Sequence, residues 1–138
     1  MEVALITVGD ELLSGDTVDT NAAWLADRLT DRGVAVTRIL SLPDDRETIT
    51  THVETYSDTF DRVLITGGIG GTPDDVTMEA VADAFDCEMA ASELTLEAVD
   101  RRLAEIEGRL PDRELAVDRE AEAAIPAESR PLINEAGL

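Results

Sequence analysis

Short aliphatic runs alternate with stretches of helical spacing along this chain. Three runs predict buried strands: Glu2–Val8, Val34–Leu42 and Arg62–Thr66. Apolar residues at helical spacing predict helices over about residues 20–31, 45–59, 76–85, 92–107 and 113–124. A short extended piece is expected near Cys87–Ala91, and extended chain again from Pro126 onward. Repeated βα alternation favours an α/β fold of three layers, in which helices cover both faces of a mostly parallel, mixed sheet.

Polar residues and glycines mark the expected helix ends. Thr20, either Asp44 or Asp45, and Ser92 are candidate N-terminal caps, and Gly33 is a candidate helix stop. The composition, 43% hydrophobic over 138 residues, suits one folded domain over residues 1–138. Leu132 and Ile133 could begin a further strand, so this domain is expected to lack its last strand or strands.

The charge is strongly one-sided. Asp and Glu number 31 against 11 basic residues, which gives a net charge of −20, and every basic residue is Arg. Such an excess repels itself unless salt screens it, so we expect a solvated surface adapted to a salt-rich cytoplasm. It also argues against nucleic acid and anionic membranes as partners.

The reactive residues exclude several kinds of site. Cys87 is the only cysteine and His52 the only histidine, which excludes an intrachain disulfide and multi-histidine zinc sites. The first residues carry no signal-peptide pattern and no apolar run reaches membrane-spanning length, so a cytoplasmic location is expected.

A glycine-rich turn follows the third predicted strand. Four glycines, Gly67, Gly68, Gly70 and Gly71, lie between this strand and the next helix, and Asp74 and Asp75 stand at the helix start. Glycines let the backbone approach a ligand and expose its N–H groups, and a helix N-terminus adds partial positive charge. The turn therefore predicts an anion-binding site that suits a phosphate carrying a divalent metal.

A second acidic cluster follows the first strand. Ligands of open parallel sheets bind at the carboxyl ends of the strands. If strands one and three are neighbours, Asp10 and Glu11 face Asp74 and Asp75. Four converging carboxylates would require a cation, and oxygen ligands suit Mg²⁺ or Mn²⁺.

Simpler roles remain open for the same residues. Asp74 and Asp75 are good helix caps, and Asn21 could be a cap or a first-turn residue. Two other phosphate motifs are excluded: a P-loop needs a lysine, and Pro73 occupies the third glycine position of a dinucleotide fingerprint.

In combination, these motifs resemble the N-terminal domain of the competence/damage-inducible protein A (CinA) family. The matching segments are residues 9–15 (GDELLSG), 20–26 (TNAAWLA), 66–70 (TGGIG) and 72–77 (TPDDVT). The resemblance implies the MoaB/Mog-like molybdopterin-binding fold, which is usually oligomeric. One departure is Gly71, where the family commonly has proline; glycine should loosen the loop.

The resemblance also implies activities and site residues. Related members bind molybdopterin, and some transfer an adenylyl group to it with Mg²⁺; the CinA branch is associated with metal-dependent hydrolysis of ADP-ribose. Asp10 and Asp75 would hold the metal, and Asp75, Glu11 and Asp74 would be catalytic. The residues expected to bind substrate are Gly9, Asp10, Ser14, Asn21, Thr66, Gly67, Gly68, Gly70, Thr72, Thr77 and Asn134.

Three functions follow as alternatives. The first is a metal-dependent pyrophosphohydrolase that acts on ADP-ribose-like dinucleotides. The second is molybdopterin binding or adenylyl transfer in molybdenum cofactor biosynthesis, and the third is a non-catalytic ligand-binding scaffold. Each predicts a small-molecule phosphate ligand, nucleotide or pterin, and a homo-oligomer, dimer or trimer.

Overall fold

The computed structural model describes residues 1–69, 74–109 and 116–132 of the chain. The backbone forms two compact units, Met1–Asp86 and Cys87–Leu138. The elements of the first unit are β1 (Glu2–Val8), α1 (Asp10–Ser14), α2 (Thr20–Thr30), β2 (Ala35–Leu42), α3 (Arg46–Thr59), β3 (Arg62–Thr66) and α4 (Thr77–Ala84). Those of the second are β4 (Met89–Ala91), α5 (Glu93–Arg109), α6 (Arg119–Ala123) and β5 (Ala124–Pro126).

The first unit is built on a parallel sheet with the order β2-β1-β3. β1 lies in the centre because every residue after Glu2 is apolar or threonine, and all six are buried. The register places Thr7 opposite Ser41 of β2 on one side and opposite Thr66 of β3 on the other. The three strands therefore end together at one edge of the sheet.

One face of this sheet carries the main core. Successive side chains of a strand point to opposite faces, so Ile6 and Val8 share a face. They pack with Leu42 and with buried residues of α3 and α4: Ile49, Val53 and Ala80. Helix α2 contacts β1 and β2 and contributes nothing to that cluster.

Side-chain bonds fix the helices of the first unit. Asp45 caps α3 by accepting the Thr48 N–H at 2.9 Å, and Asp19 caps α2 by accepting the Ala22 N–H at 2.9 Å. Arg46 of α3 donates two hydrogen bonds to the Asp83 carboxylate of α4, at 2.5 and 2.8 Å.

In the second unit, β4 and β5 form an antiparallel pair. Ser92 and Thr95 cap the start of α5 with two reciprocal hydrogen bonds. The Ser92 hydroxyl accepts a bond from the Thr95 N–H, and the Thr95 hydroxyl accepts one from the Ser92 N–H. Arg119 at the start of α6 forms an ion pair with Asp100 of α5.

The predicted α/β fold with a parallel sheet is confirmed, and some boundaries are corrected. Thr20 is not the cap of α2, since the preceding Asp19 carries the bond. The cap position of α4 is Val76, so it is occupied by neither Asp74 nor Asp75. Helix α6 begins at Arg119, where Asp118 caps it, and residues 116–118 of the predicted last helix are not helical; residues 113–115 lie outside the described residues.

The short helix α1 was not predicted, because five residues are too few for a periodic pattern. Leu132 lies in no strand, and Ile133 is outside the described residues. None of the helices in the described ranges is both long and apolar enough to cross a membrane.

Candidate functional site

The residues predicted to bind a ligand gather where the three parallel strands end. We call this region the carboxyl edge: it comprises the residues that follow β1, β2 and β3, namely 9–11, 43–44 and 67–68, together with the start of α4. The chain moves from β1 to β2 on one side and then returns to β3 on the other. Such a reversal of strand order leaves a crevice beside β1, which is the usual ligand position in open α/β sheets.

Two aspartates join the ends of β1 and β2. The backbone N–H of Asp10 donates to the Asp44 carboxylate at 3.1 Å, and the N–H of Asp44 donates to the Asp10 carboxylate at 3.1 Å. The Gly9 N–H also donates to the Leu42 carbonyl at 3.0 Å. This reciprocal arrangement holds two negative charges side by side, and main-chain donors stabilise them.

The turn after β3 needs glycine at two successive positions. Gly67 and Gly68 have φ of +89° and +58°, which an L-residue rarely adopts. A Cβ atom at Gly67 would lie 2.0 Å from the Val8 carbonyl oxygen. The ends of β1 and β3 therefore approach each other more closely than any side chain would allow.

Gly68 marks the place where Asp44 and Thr77 converge. A Cβ atom there would lie 2.5 Å from the Thr77 hydroxyl oxygen and 3.1 Å from an Asp44 carboxylate oxygen. The Thr77 N–H donates to the Gly68 carbonyl at 3.0 Å, which fixes the start of α4 against the turn.

Thr77 is a buried hydroxyl that lacks a partner. The residue is 1% exposed, and its hydroxyl oxygen makes no hydrogen bond within the part of the chain that the structure describes. A buried hydroxyl without a partner costs free energy, and native proteins retain few of them. Such an atom is suited to donate to a ligand oxygen.

A cavity of about 570 Å³ opens among residues that follow β1 and β2 and precede α4. It is lined by Val76 and six polar residues: Asp10, Glu11, Ser14, Asp16, Asp44 and Asp74. The Glu11 carboxylate folds back over Gly9, where it would lie 2.6 Å from a Cβ atom, and the Ser14 hydroxyl donates to Asp16 at 2.7 Å. We call this space the acidic cavity.

A smaller cavity of about 120 Å³ lies on the other side of Glu11. Its lining comprises Thr7, Val8, Glu11, Leu12, Thr17, Val18, Asp19, Thr20, Asn21, Thr66 and Gly67. Threonines are the most numerous polar residues of this lining, whereas carboxylates predominate in the acidic cavity. We call this space the hydroxyl cavity.

The acidic cavity offers only oxygen donors, which suits a hard divalent cation. In the described ranges, no three acidic, histidine or cysteine side chains lie close enough together to hold a metal ion by themselves. Mg²⁺ is commonly held by one or two carboxylates with water and substrate phosphates, so the donor set fits that kind of binding.

The structure brings most of the predicted site residues to the carboxyl edge. Asp10, Glu11, Ser14 and Asp74 line the acidic cavity, and Asn21, Thr66 and Gly67 line the hydroxyl cavity. Asp75 is half-buried and does not line the acidic cavity, although it follows Asp74 directly. Gly70, Thr72 and Asn134 lie outside the described residues. The assignments of catalytic, metal-binding and substrate-binding roles, and of a homo-oligomer, stay predictions.

Two residues near the site are not predicted from the sequence as site residues. The sequence indicates Asp44 only as a helix cap, yet it contacts Asp10, and Asp19 lines the hydroxyl cavity. The sequence signal for Asp44 is its position two residues after the end of β2, since β2 is one of the three parallel strands that end at this edge. Because carboxyl ends of parallel strands share an edge, an acid there joins the acids that follow β1.

A family described as a probable molybdopterin binding domain matches residues 4–129. This chain belongs to that family. Its closer likeness is to CinA. A CinA-like protein of Citrifermentans bemidjiense is 46% identical over 110 residues, which is 80% of this chain and 27% of that protein. The chain thus spans about a quarter of the length of this curated relative.

Two solved structures resemble this chain, one in sequence and fold and one in fold alone. The CinA protein of Thermoplasma acidophilum, whose function is described as unknown, matches with a TM-score of 0.86 and 31% identity, covering 99% of this chain and 77% of that one. The molybdopterin biosynthesis enzyme MoaB of Thermus thermophilus matches with a TM-score of 0.56 and 22% identity over 88% of this chain and 70% of that one, a likeness of fold alone. The protein is therefore a CinA-type domain of the MoaB/Mog-like fold.

Proposed function

We propose that this CinA-type domain is a metal-dependent pyrophosphohydrolase that cleaves the phosphoanhydride bond of ADP-ribose-like dinucleotides in the cytoplasm. The observation that carries the proposal is the carboxyl edge itself. Asp44 lines the acidic cavity and also lies beside Gly68, where the buried Thr77 hydroxyl has no partner among the described residues. The resemblance to the CinA branch supplies the substrate class.

The phosphate is proposed to lie against the glycine turn. The Thr77 hydroxyl, buried and within reach of the Gly68 position, would donate to a phosphate oxygen. Helix α4 directs its N-terminus toward the same turn, which favours negative charge there. A bound phosphate would therefore meet the hydrogen-bond donors at the start of α4.

The acids are proposed to serve the cation and the water. Asp10, with Asp75 on the neighbouring loop, would hold Mg²⁺ or Mn²⁺, which when bound neutralises phosphate charge and polarises the anhydride. Glu11 or Asp74, both at the acidic cavity, would orient a water molecule and accept its proton as general base. Asp44 would position Asp10 through their paired hydrogen bonds.

The proposal is tested by measuring AMP release from ADP-ribose with Mg²⁺ or Mn²⁺ in concentrated KCl. Wild-type protein should turn over substrate, and the Asp75→Ala and Asp10→Asn variants should each lose at least about 100-fold in rate, since both remove a proposed metal ligand. Asp83→Asn is the matched control, because Asp83 is an exposed acid paired with Arg46 at the far end of α4. It should retain the wild-type rate.

Two results would contradict the proposal. One is a folded wild-type protein that releases no AMP at any metal concentration. The other is full activity in Asp75→Ala and Asp10→Asn. In either case pterin affinity becomes the next measurement, because molybdopterin binding would use the same carboxyl edge.

A further inference from the structure

The hydroxyl cavity has a built polar wall that the proposed hydrolysis does not use. Thr7 lies directly opposite Ser41 and Thr66 in the strand register, so three hydroxyl residues stand in one row across the sheet. The Thr7 hydroxyl, in a residue 2% exposed, is 3.0 Å from that of Ser41. Thr7 and Thr66 both line the cavity.

Asp19 lines the same cavity, and one of its carboxylate oxygens has no partner in the described part of the chain. Its Oδ1 atom caps α2 through the Ala22 N–H at 2.9 Å. Its Oδ2 atom is buried and makes no hydrogen bond to any residue in the described ranges. A buried carboxylate oxygen that lacks a donor is costly, so its retention favours a donor brought by something else.

The two cavities meet at Glu11, which lines both. Gly67 of the glycine turn lines the hydroxyl cavity, whereas Gly68 lies beside Thr77 and Asp44. A molecule with its phosphate at Gly68 could therefore extend past Glu11 into the hydroxyl cavity. The end that enters would meet the carboxylates of Glu11 and Asp19, the Asn21 amide and several threonines. That lining favours an uncharged group with hydrogen-bond donors over a second phosphate, which the carboxylates would repel.

We propose that the hydroxyl cavity binds the uncharged, donor-bearing end of the phosphate ligand, with Asp19 Oδ2 accepting a hydrogen bond from it. The inference rests on the proposed function, because it assumes that the phosphate lies at the carboxyl edge. The donor is either a sugar hydroxyl or an N–H of a heteroaromatic ring, and both present the same chemistry to Asp19. Asp19 then selects ligands by their far end, whereas the acidic cavity recognises their phosphates.

Binding calorimetry with four probes tests the subsite: ADP-ribose, ribose 5-phosphate, pterin and inorganic pyrophosphate, each with Mg²⁺ in concentrated KCl. The main variant is Asp19→Asn, because asparagine caps a helix as well as aspartate does but replaces the second oxygen with an N–H donor. Asp19→Ser also keeps a cap and removes that oxygen. Asp45→Asn is the matched control, since Asp45 caps α3 in the same way and does not line either cavity.

Both Asp19 variants should weaken ADP-ribose binding about 10-fold or more, as expected when a buried acceptor loses its donor. Pyrophosphate affinity should change less than twofold, and Asp45→Asn should match wild type for every probe. The probe that loses affinity beside ADP-ribose identifies the donor: ribose 5-phosphate indicates sugar hydroxyls, and pterin indicates ring N–H groups.

The outcomes separate this inference from the proposed hydrolysis. Selective loss of ADP-ribose binding in a protein that releases no AMP would support the subsite and contradict the hydrolysis. Unchanged ADP-ribose affinity in both Asp19 variants, or an equal loss for pyrophosphate, would overturn the subsite while the hydrolysis could stand. A folded wild-type protein that binds none of the four probes would overturn both.

Discussion

The hydrogen bonding of polar groups differs between the two edges of the parallel sheet. At the amino-terminal edge, the Glu2 N–H donates to the Asp61 carboxylate at 2.8 Å, and the Asp61 N–H donates to the Glu2 carbonyl at 3.1 Å. Gly33 ends its turn there with a φ of +74° and nothing within 4 Å of a Cβ position. At the carboxyl edge, Gly67 is pressed against Val8, and the Thr77 hydroxyl has no partner in the described residues.

The two edges differ in backbone approach and in hydrogen bonding. At the amino-terminal edge, main-chain groups of Glu2 and Asp61 are paired, and the turn at Gly33 has room for a side chain. The carboxyl edge combines a close backbone approach, two paired acids and a buried hydroxyl without a partner in the described residues. Local departures of this kind are expected at functional sites. Two pairs of substitutions and one single substitution would test this contrast.

The largest effect is expected at the glycines. Gly67→Ala should destabilise the protein by about 3 kcal/mol, because a Cβ would collide with the Val8 carbonyl oxygen in addition to the strain of positive φ. Gly33→Ala adds the strain without the collision and should cost about 1 kcal/mol. Urea unfolding of both variants measures the difference, and equal losses would mean that the close approach at Gly67 contributes nothing.

A smaller effect is expected at two buried threonines. Thr7→Val should cost about 1 kcal/mol, because the Thr7 hydroxyl is bonded to Ser41. Thr77→Val should leave the free energy of unfolding within about 0.5 kcal/mol of wild type, or raise it, because it replaces a hydroxyl that has no partner. The same variant should weaken pyrophosphate binding. A loss of stability as large as that of Thr7→Val would show that the Thr77 hydroxyl is satisfied in solution.

The smallest effect concerns the cap of α3, which is fully satisfied. The Thr48 hydroxyl, and then its N–H, donate to Asp45 and lower the pKa of its carboxyl below 3.8. A carboxyl whose pKa is lower in the folded state stabilises the fold above its unfolded pKa, and this contribution is lost as pH falls through the folded value. Asp45→Asn does not titrate, so its stability should decline less between pH 5 and pH 2 than that of wild type. Parallel curves would show that the cap carboxylate has no part in the acid response.

The strands and most of the helices follow from the sequence because their signals are local. β1 and β3 are aliphatic runs whose bounds agree with the prediction, and Gly33 and Asp45 mark helix ends by their own chemistry. The cap of α2 was misplaced by one residue because Thr20 and Asp19 are both good caps and lie side by side. The pattern alone does not rank them.

The site was predicted only in part because its contacts are long-range. The acids after β1 and the glycine turn after β3 are visible as motifs, and strand order brings them together. The pairing of Asp10 with Asp44 joins residues 34 positions apart. The orphaned oxygens of Thr77 and Asp19 depend on packing, which no local pattern encodes.

The paired hydrogen bonds of Asp10 and Asp44 should constrain how these two positions change in evolution. Each carboxylate satisfies the other residue's main-chain N–H, so a change to an apolar residue at one position strands a donor at the other. A substitution at one position therefore favours a compensating substitution at the other. Among related sequences we expect substitutions at the two positions to occur together, and asparagine to be tolerated at Asp44, because its amide oxygen accepts the same bond.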